Sequence, residues 1–487
     1  MYYLGIDFGG GSSKATLVNE KGEVIATSTS EYPTTYKEDG LATQKPIDWF
    51  NAALINIKSI LNKGINPEEI ECLSFSAATH TAVLLDENNN VICDSIYWTD
   101  TRSVKEKEFL LKNHREYIFD KCKHLPDTIW TLPELMFLNK TSPKQYKRIK
   151  HVLFAKDYIR HLFCEGLVTD YIEAEGSMLF DFDKKEWDEN LLKLAGLSKA
   201  QMPEVISPLD VIGTINEKAA TLSGLSTKTK VICGSTDTAM EVLASSGVKE
   251  GDMTLKLATA GRICLVTNHV YPDKNIINYS HLNEGLYYPG SGTKSCAASL
   301  RWFRDTFGGD YKELDKLAES IPVGSDGLIF LPYLMGELTP YGNPLLKGGY
   351  FGISSLHTKG HFVRALLEGV AFSLFDCYSY LKDAGLPLSN KAFVLGGGSK
   401  SPLWRQIVSD VLGITLFVTE NNDSSFGDCL CALVASKHFN SLESAIRQTQ
   451  KIIEEVHPNM DNHKKYMEIF KQYKKLGNFV VDFYGKE

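Results

Sequence analysis

The chain has 487 residues, 52 basic and 60 acidic side chains, a net charge of −8 and 43% hydrophobic residues; that length exceeds one hydrophobic core and predicts two large domains. The acidic balance excludes the concentrated positive charge of a nucleic-acid or anionic-membrane surface, leaving small-molecule chemistry as the default. Ten scattered cysteines without CxxC spacing predict buried thiols of a reducing compartment, and neither a leader at MYYLGIDFGG nor a membrane-length apolar run is visible, so the expected place is the cytoplasm.

Tyr2 to Ile6 and Lys14 to Val18 read as strands around Asp7-Phe8-Gly9-Gly10-Gly11-Ser12-Ser13, with a turn at Asn19 to Gly22 and a further strand from Val24 to Thr27. A strand follows this glycine loop where a P-loop or dinucleotide fingerprint needs a helix, so it is a glycine-rich hairpin. Such a turn is either plain structure or a phosphate cradle, because residues without bulk let successive N–H groups face one concavity. Pro46 to Leu61 has helical apolar spacing. Glu71 to Leu85 reads as strand, turn at Ala78-Thr79-His80, and strand, and Val91 to Trp98 as another strand closing on WTDTR. Polar groups at strand ends of an α/β sheet are where ligands sit. His80 is equally a structural histidine, and Trp98, Asp100 and Arg102 are equally an aromatic-capped salt bridge or the wall of a polyhydroxylated substrate's pocket.

Residues 103–150 read as charged and mostly helical, Phe154 to Tyr158 opens a helix, and Val168 to Phe182 is turn-rich, with Asp170 and Glu173 as caps or turn residues. The stretch VICGSTDTAMEVLASSGVKEGDMTLKLATAGRICLV, within 230–266, organises the rest. It runs from an apolar strand to Asp237 at the mouth of a helix, then from Met253 through a sharp turn at Ala258-Thr259-Ala260-Gly261 and back along Arg262 to Val266. One stretch therefore carries a candidate general base and a second candidate phosphate cradle. Two such hairpins, about one per half, predict an internal duplication.

Ala297 to Phe307 reads as a helix, Gly327 to Tyr333 as a strand and His361 to Leu381 as a long core helix. Ala392 to Leu395 is a strand, Gly396-Gly397-Gly398 a flexible turn, and Pro402 to Leu412 a helix with Ser401 as N-cap and Gly413 as terminator. Leu442 to Glu487 reads as an amphipathic, charged helical tail.

In this order, LGIDFGG, YWTDTR, KDYIR, FLPYLMGELTP and VLGGGSKSPLWRQ resemble the FGGY carbohydrate kinases, and most of all their xylulokinase branch. The resemblance covers nearly the whole chain. It implies an α/β fold of two actin/hexokinase-like (ribonuclease H-like) domains with a cleft between them: residues 1–245 on the sugar side and 246–487 on the nucleotide side. It implies that Gly10, Gly11, Ser12 and Lys14 of the first hairpin, with Thr259 and Gly261 of the second, hold the β- and γ-phosphates of ATP. Gly397, Gly398 and Ser401 would lie against the adenosine. Asp7 and Asp237 would serve Mg²⁺, Asp7 through water, and Asp237 would take the proton of the attacking hydroxyl. Thr79 and His80 would contact the sugar, with Trp98, Asp100 and Arg102 completing its pocket.

The chain departs from the family where Gly10 replaces a threonine, Ala258-Thr259-Ala260 a Gly-Thr-Ser, and Ala78-Thr79 a Gln-Met pair. The expected activity is phosphorylation of a ketopentose such as xylulose by ATP. The alternatives are another ketose, a polyol, a sugar acid such as gluconate, or a catalytically weak binding protein. Family kinases are often dimers, so the resemblance also implies a homodimer.

Overall fold

A computed structural model describes residues 1–37 and 40–485. The described chain forms two compact units: Met1–Ala244 with Tyr279–Gly285 and Asp423–Gln450, and Ser245–Asn278 with Leu286–Asn422 and the chain from Lys451 on. Among the described residues no helix is long and apolar enough to cross a membrane.

The first unit is built on β1 (Tyr2–Phe8), β2 (Ser12–Asn19), β3 (Val24–Glu31), β4 (Ile70–Ala77), β5 (Val211–Thr214) and β6 (Lys230–Ile232), in spatial order β5-β6-β4-β1-β2-β3. β1, β2 and β3 form antiparallel hairpins, β4 is parallel to β1 and to β6, and β5 is antiparallel to β6. A central parallel strand is covered on both faces, which is why the run at β4 is buried almost throughout. The helix Pro46–Leu61 starts with proline at its first turn and buries Trp49, Phe50, Ala53, Ile57 and Ile60, one stripe at helical spacing. That stripe joins Leu4, Ile6, Leu17, Leu73 and Phe75 in the unit's core.

The second unit has β7 (Met253–Leu257), β8 (Gly261–Leu265), β9 (Gly290–Thr293), β10 (Lys391–Leu395), β11 (Thr415–Thr419) and β12 (Ile452–Val456), in order β9-β8-β7-β10-β11-β12. Its pairings repeat those of the first sheet in sense, from the two antiparallel hairpins to the antiparallel last strand. The duplication is thus present as topology. The helix Lys359–Asp383 packs through Val363, Leu366, Leu367, Val370 and Leu374 into this unit's core.

Two expectations are corrected. The strand expected from Val91 to Trp98 is only Ser95–Ile96, because its ends serve different partners: Ile92 N donates to Leu84 O at 2.9 Å, whereas Ser95 and Ile96 pair with Gln44 and Thr43. The C-terminal tail is not wholly helical, since β12 intervenes between helices Leu442–Thr449 and Met460–Tyr484. As an edge strand it exposes its glutamates, so its charge pattern mimics a helix surface. The two compact units interleave along the chain, with Tyr279–Gly285 and Asp423–Gln450 belonging to the first. Ser280 donates from both N and Oγ to buried Glu175, at 2.8 and 2.6 Å. The helix Ser424–Ala435 lies against β1, where a Cβ on Gly5 would collide with Ser425 O and Asp428 Cβ.

Candidate active site

In the first unit, parallel strands end together at one edge of the sheet. Asp7 stands opposite Ser76 in the register of β1 with β4, and a short strand Ser235–Thr236 runs parallel to the end of β4. The helix Asp237–Ala244 follows, so Asp237 occupies its first position, where a carboxylate is favoured by the helix dipole. The Asp237 carboxylate takes Thr79 Oγ1 at 3.1 Å, Thr238 N at 2.7 Å and Thr238 Oγ1 at 3.3 Å, all on Oδ1. Its second oxygen has no hydrogen-bond partner among the described residues.

Burial, and then the Asp237 and Asp428 carboxylates, push Asp7 well above the usual carboxylate range. Ser76 Oγ lies 2.9 Å from Asp7 Oδ1 and 2.6 Å from Asp428 Oδ2, and Ser74 Oγ donates to Asp428 Oδ1 at 2.6 Å. A hydroxyl has one proton to donate, so Ser76 serves both carboxyl groups only if one of them is protonated and donates to it. Burial pushes Asp428 up to about 8, in line with that count.

The first hairpin is braced from behind. Gly9 O accepts from Tyr32 Oη, and Gly10 O accepts from Thr34 Oγ1 at 2.7 Å and Gln44 Nε2 at 2.9 Å. Across a planar trans peptide the next N–H points opposite to the carbonyl, so the N–H groups of Gly10 and Gly11 face away from these partners. The second unit repeats the device. Ala258 O accepts from Ala297 N at 2.7 Å and Thr259 O from Cys296 N at 3.0 Å, which turns the Thr259 and Ala260 N–H groups the other way. A Cβ on Gly261 would meet Leu374 and Thr293 at 2.9 Å, so its lack of a side chain serves packing. Lys14 Nζ is paired with Asp423 Oδ2 at 2.7 Å, and Ser12 opens β2 with its carbonyl accepting from Gly9 N at 3.0 Å.

On the far side of Asp237, His80 has φ +55°, a region a non-glycine residue adopts only when its surroundings hold it. Thr131 Oγ1 donates to its carbonyl at 2.6 Å, Glu173 accepts from its N–H, and its ring lies 5.0 Å from that of Trp130. Burial brings the imidazole down to about 3, so it is neutral. Asp100 is buried and fully engaged. Its oxygens take Arg102 Nε and Nη2 at 2.9 and 2.6 Å, and the backbone N–H groups of Arg102 and Ala42 at 2.8 and 2.6 Å. This pair braces its own turn, and Trp98 stays 37% exposed. Asp170, expected as a cap, does cap its helix, accepting from Ile172 N at 2.9 Å. It also pairs with buried Lys156 at 2.9 Å and accepts from Ser235 Oγ at 2.9 Å, two residues before Asp237.

In the second unit, β10 runs into Gly396 (φ +89°) and a short 3₁₀ turn. A Cβ on Gly398 would stand 2.8 Å from the Trp404 ring and 3.0 Å from Leu257 Cβ, whereas one on Gly397 would meet nothing within 4 Å. Ser401 Oγ caps the helix Pro402–Leu412 by accepting from Trp404 N at 3.0 Å. This is a backbone surface with one open glycine beside a helix N-terminus.

The sequence matches the N-terminal domain of the FGGY family of carbohydrate kinases over residues 2–244 and the C-terminal domain over residues 262–436. The chain belongs to that family. This carbohydrate kinase is 29% identical to the xylulose kinase of Bacillus subtilis (strain 168), over 99% of this chain and 97% of the relative. It is 28% identical to the gluconokinase of the same organism, over 91% and 89%. Its fold matches that of ligand-bound xylulose kinase from Lactobacillus acidophilus with a TM-score of 0.92 at 23% identity, covering 99% of each chain.

Sequence reasoning about the kinase missed Ser74, Ser76 and Asp428. Asp428 lies 421 positions from Asp7 in a helix of apolar and small residues, and only the placement of that helix on β1 and β4 brings the two together. The one local signal is an acidic residue inside SSFGDCLCALVA, an otherwise buried run.

Proposed function

We propose that this kinase transfers the γ-phosphate of ATP to a hydroxyl of a ketopentose of the xylulose type, with Asp237 as general base. The observation that carries this reading is the Asp237 carboxylate, oriented through Oδ1 by Thr79 and Thr238 with Oδ2 available. The sugar oxygen forms the new bond to phosphorus, the bond from the γ-phosphorus to its bridging oxygen breaks, ADP leaves, and the hydroxyl proton passes to Oδ2. An alcohol is a poor nucleophile until a base takes its proton, which contributes about 10²- to 10⁴-fold.

The residues fit Mg-ATP. Phosphates suit N–H groups turned outward from hairpins whose carbonyls are tied back. A cation would relieve the crowding of Asp7 by the Asp237 carboxylate, and two carboxylates suffice because Mg²⁺ takes its remaining ligands from water and phosphate. Among the described residues there is no cluster of three or more metal-ligating side chains. Mg²⁺ would neutralise charge on the phosphates; Asp7 and Asp237 would hold it. In this reading the first unit takes the sugar through Thr79, His80, Trp98 and Arg102, and the second takes the nucleotide through Thr259, Gly397 and Gly398.

A gluconokinase among the relatives makes a sugar acid the second reading. The neutral state of His80 and the commitment of Arg102 to Asp100 favour an uncharged sugar, since neither offers a spare cation to a carboxylate. We also propose a cytoplasmic homodimer, which light scattering after size exclusion tests.

The deciding measurement is ADP release with Mg-ATP across ketopentoses, ketohexoses, polyols and sugar acids, for wild type beside Asp237→Asn. Turnover of one ketose, lost in the variant, is the expected result. Turnover confined to sugar acids replaces the substrate. No turnover, with melting still raised by sugar or ATP, makes the protein a binding protein instead.

A further inference from the structure

We propose that Tyr97 is a further phosphate-contacting residue of this kinase, its phenolic hydroxyl standing where a side chain at residue 10 would stand and donating a hydrogen bond to the terminal phosphoryl group at the first hairpin. The inference rests on the kinase reading above and adds a residue to it.

The first observation is steric. Gly10 lies outside the left-handed region, so its backbone alone does not demand glycine. A Cβ added there would stand 2.5 Å from Tyr97 Oη but 3.4 Å from Cζ. The hydroxyl, and not the ring, therefore excludes a side chain from the turn. Residue 10 is bare because another residue's oxygen fills its place.

The second observation is anchoring. Tyr97 N donates to Ala42 O at 3.0 Å and Tyr97 O accepts from Asp100 N at 2.8 Å, so the backbone that carries the ring is fixed at both ends. The ring is 5% exposed and packs with Ala42 and Ala78. Gly10 O is meanwhile held by Thr34 and Gln44, and Gln44 is itself held by Trp49 Nε1 at 3.0 Å. Hydroxyl and turn thus meet as two rigid parts.

The third observation is electrostatic. Burial raises the phenol above its ordinary range, with the Asp237 and Asp7 carboxylates adding to it and a hydrogen bond from Trp98 opposing it, so the hydroxyl keeps its proton at neutral pH and is available as a donor. A neutral donor near two acidic groups has use for an anion that carries its own counter-cation. Hydrogen bonds to charged oxygens are the strong ones, and losing one costs about ten- to a hundredfold in affinity.

The test compares wild type, Tyr97→Phe, Gly10→Ser/Tyr97→Phe, Gly10→Ala and Gly10→Ala/Tyr97→Phe as full chains. Calorimetric titration with Mg-ADP and with the non-hydrolysable Mg-adenylyl imidodiphosphate, no sugar present, is the main readout. Tyr97→Phe is expected to bind ADP as wild type does and the analogue about ten- to a hundredfold more weakly. Gly10→Ser/Tyr97→Phe, which moves a hydroxyl to the other side of the same gap, is expected to recover most of that loss. Gly10→Ala should lower the melting temperature and Tyr97→Phe should restore it, which checks the steric contact without any ligand. The proposal is overturned if Tyr97→Phe binds the analogue like wild type, if the serine variant recovers nothing, or if only sugar affinity changes. Because these titrations use no sugar, they decide the role of Tyr97 even if the substrate panel shows no turnover. A wild type that binds neither nucleotide overturns both readings.

Discussion

The two sheets share order and pairing sense, yet the hairpins that open them are charged differently. One pair back from the turn, β1 and β2 place Asp7 opposite Lys14, while β7 and β8 place Lys256 opposite Arg262. Around the first turn the acids accumulate, with Asp7, Asp237 and Asp428 near one another; the equivalent end of the second sheet offers glycine backbone and a capped helix. A duplicated fold supplies two frames, and side chains at corresponding places give them different chemistry. Carboxylates suit proton transfer and a cation, whereas backbone N–H groups suit an anion.

The division can be broken from either side. The largest effect is expected from Asp237→Asn, which keeps the shape but removes the base: kcat should fall by about 10²- to 10⁴-fold with sugar affinity little changed, as steady-state ADP release will read. Next comes Lys156→Met in the first unit. Lys156 is fully buried between Asp157 at 2.5 Å and Asp170 at 2.9 Å, so its loss strands buried carboxylates and should remove about 3–5 kcal/mol in denaturant unfolding. In the second unit, Gly398→Ala forces Trp404 and Leu257 apart. It should cost about 1–3 kcal/mol and raise KM for ATP with kcat for the bound complex largely kept.

Asp428→Asn sharpens the contrast by removing one acid. The folded carboxyl holds its proton up to about 8, whereas an unfolded aspartate loses it near about 3.9. Between those values the folded state binds more protons, so this group makes stability fall with rising pH by up to about 1.4 kcal/mol per unit. The asparagine variant should therefore melt higher than wild type, by more at pH 8 than at pH 5. The carbonyl stretch of a protonated acid should also vanish from its infrared difference spectrum. The smallest effect belongs to Lys14→Met. Lys14 and Asp423 are 39% and 37% exposed, so the pair should contribute less than about 1 kcal/mol; a larger change in nucleotide affinity than in stability would assign Lys14 to phosphate.

Sequence periodicity and punctuation were enough for elements whose cause is local. The helix Pro402–Leu412 has its cap, its proline and its terminating glycine within thirteen residues, and the helix Pro46–Leu61 its buried stripe, so both lie where the residues say. Asp7, Asp237 and the two small-residue hairpins are likewise legible, because a turn between two strands is written in adjacent residues. Contacts between distant segments decided the rest. The interleaving of the units, the edge strand Ile452–Val456, the commitment of Asp100 to Arg102, the proton shared along Asp428, Ser76 and Asp7, and the hydroxyl of Tyr97 over Gly10 each join residues whose types are unremarkable alone. Local sequence fixes backbone preference and the apolar face of an element; which polar atoms end within 3 Å of each other depends on how those faces pack, and that is a property of the folded chain.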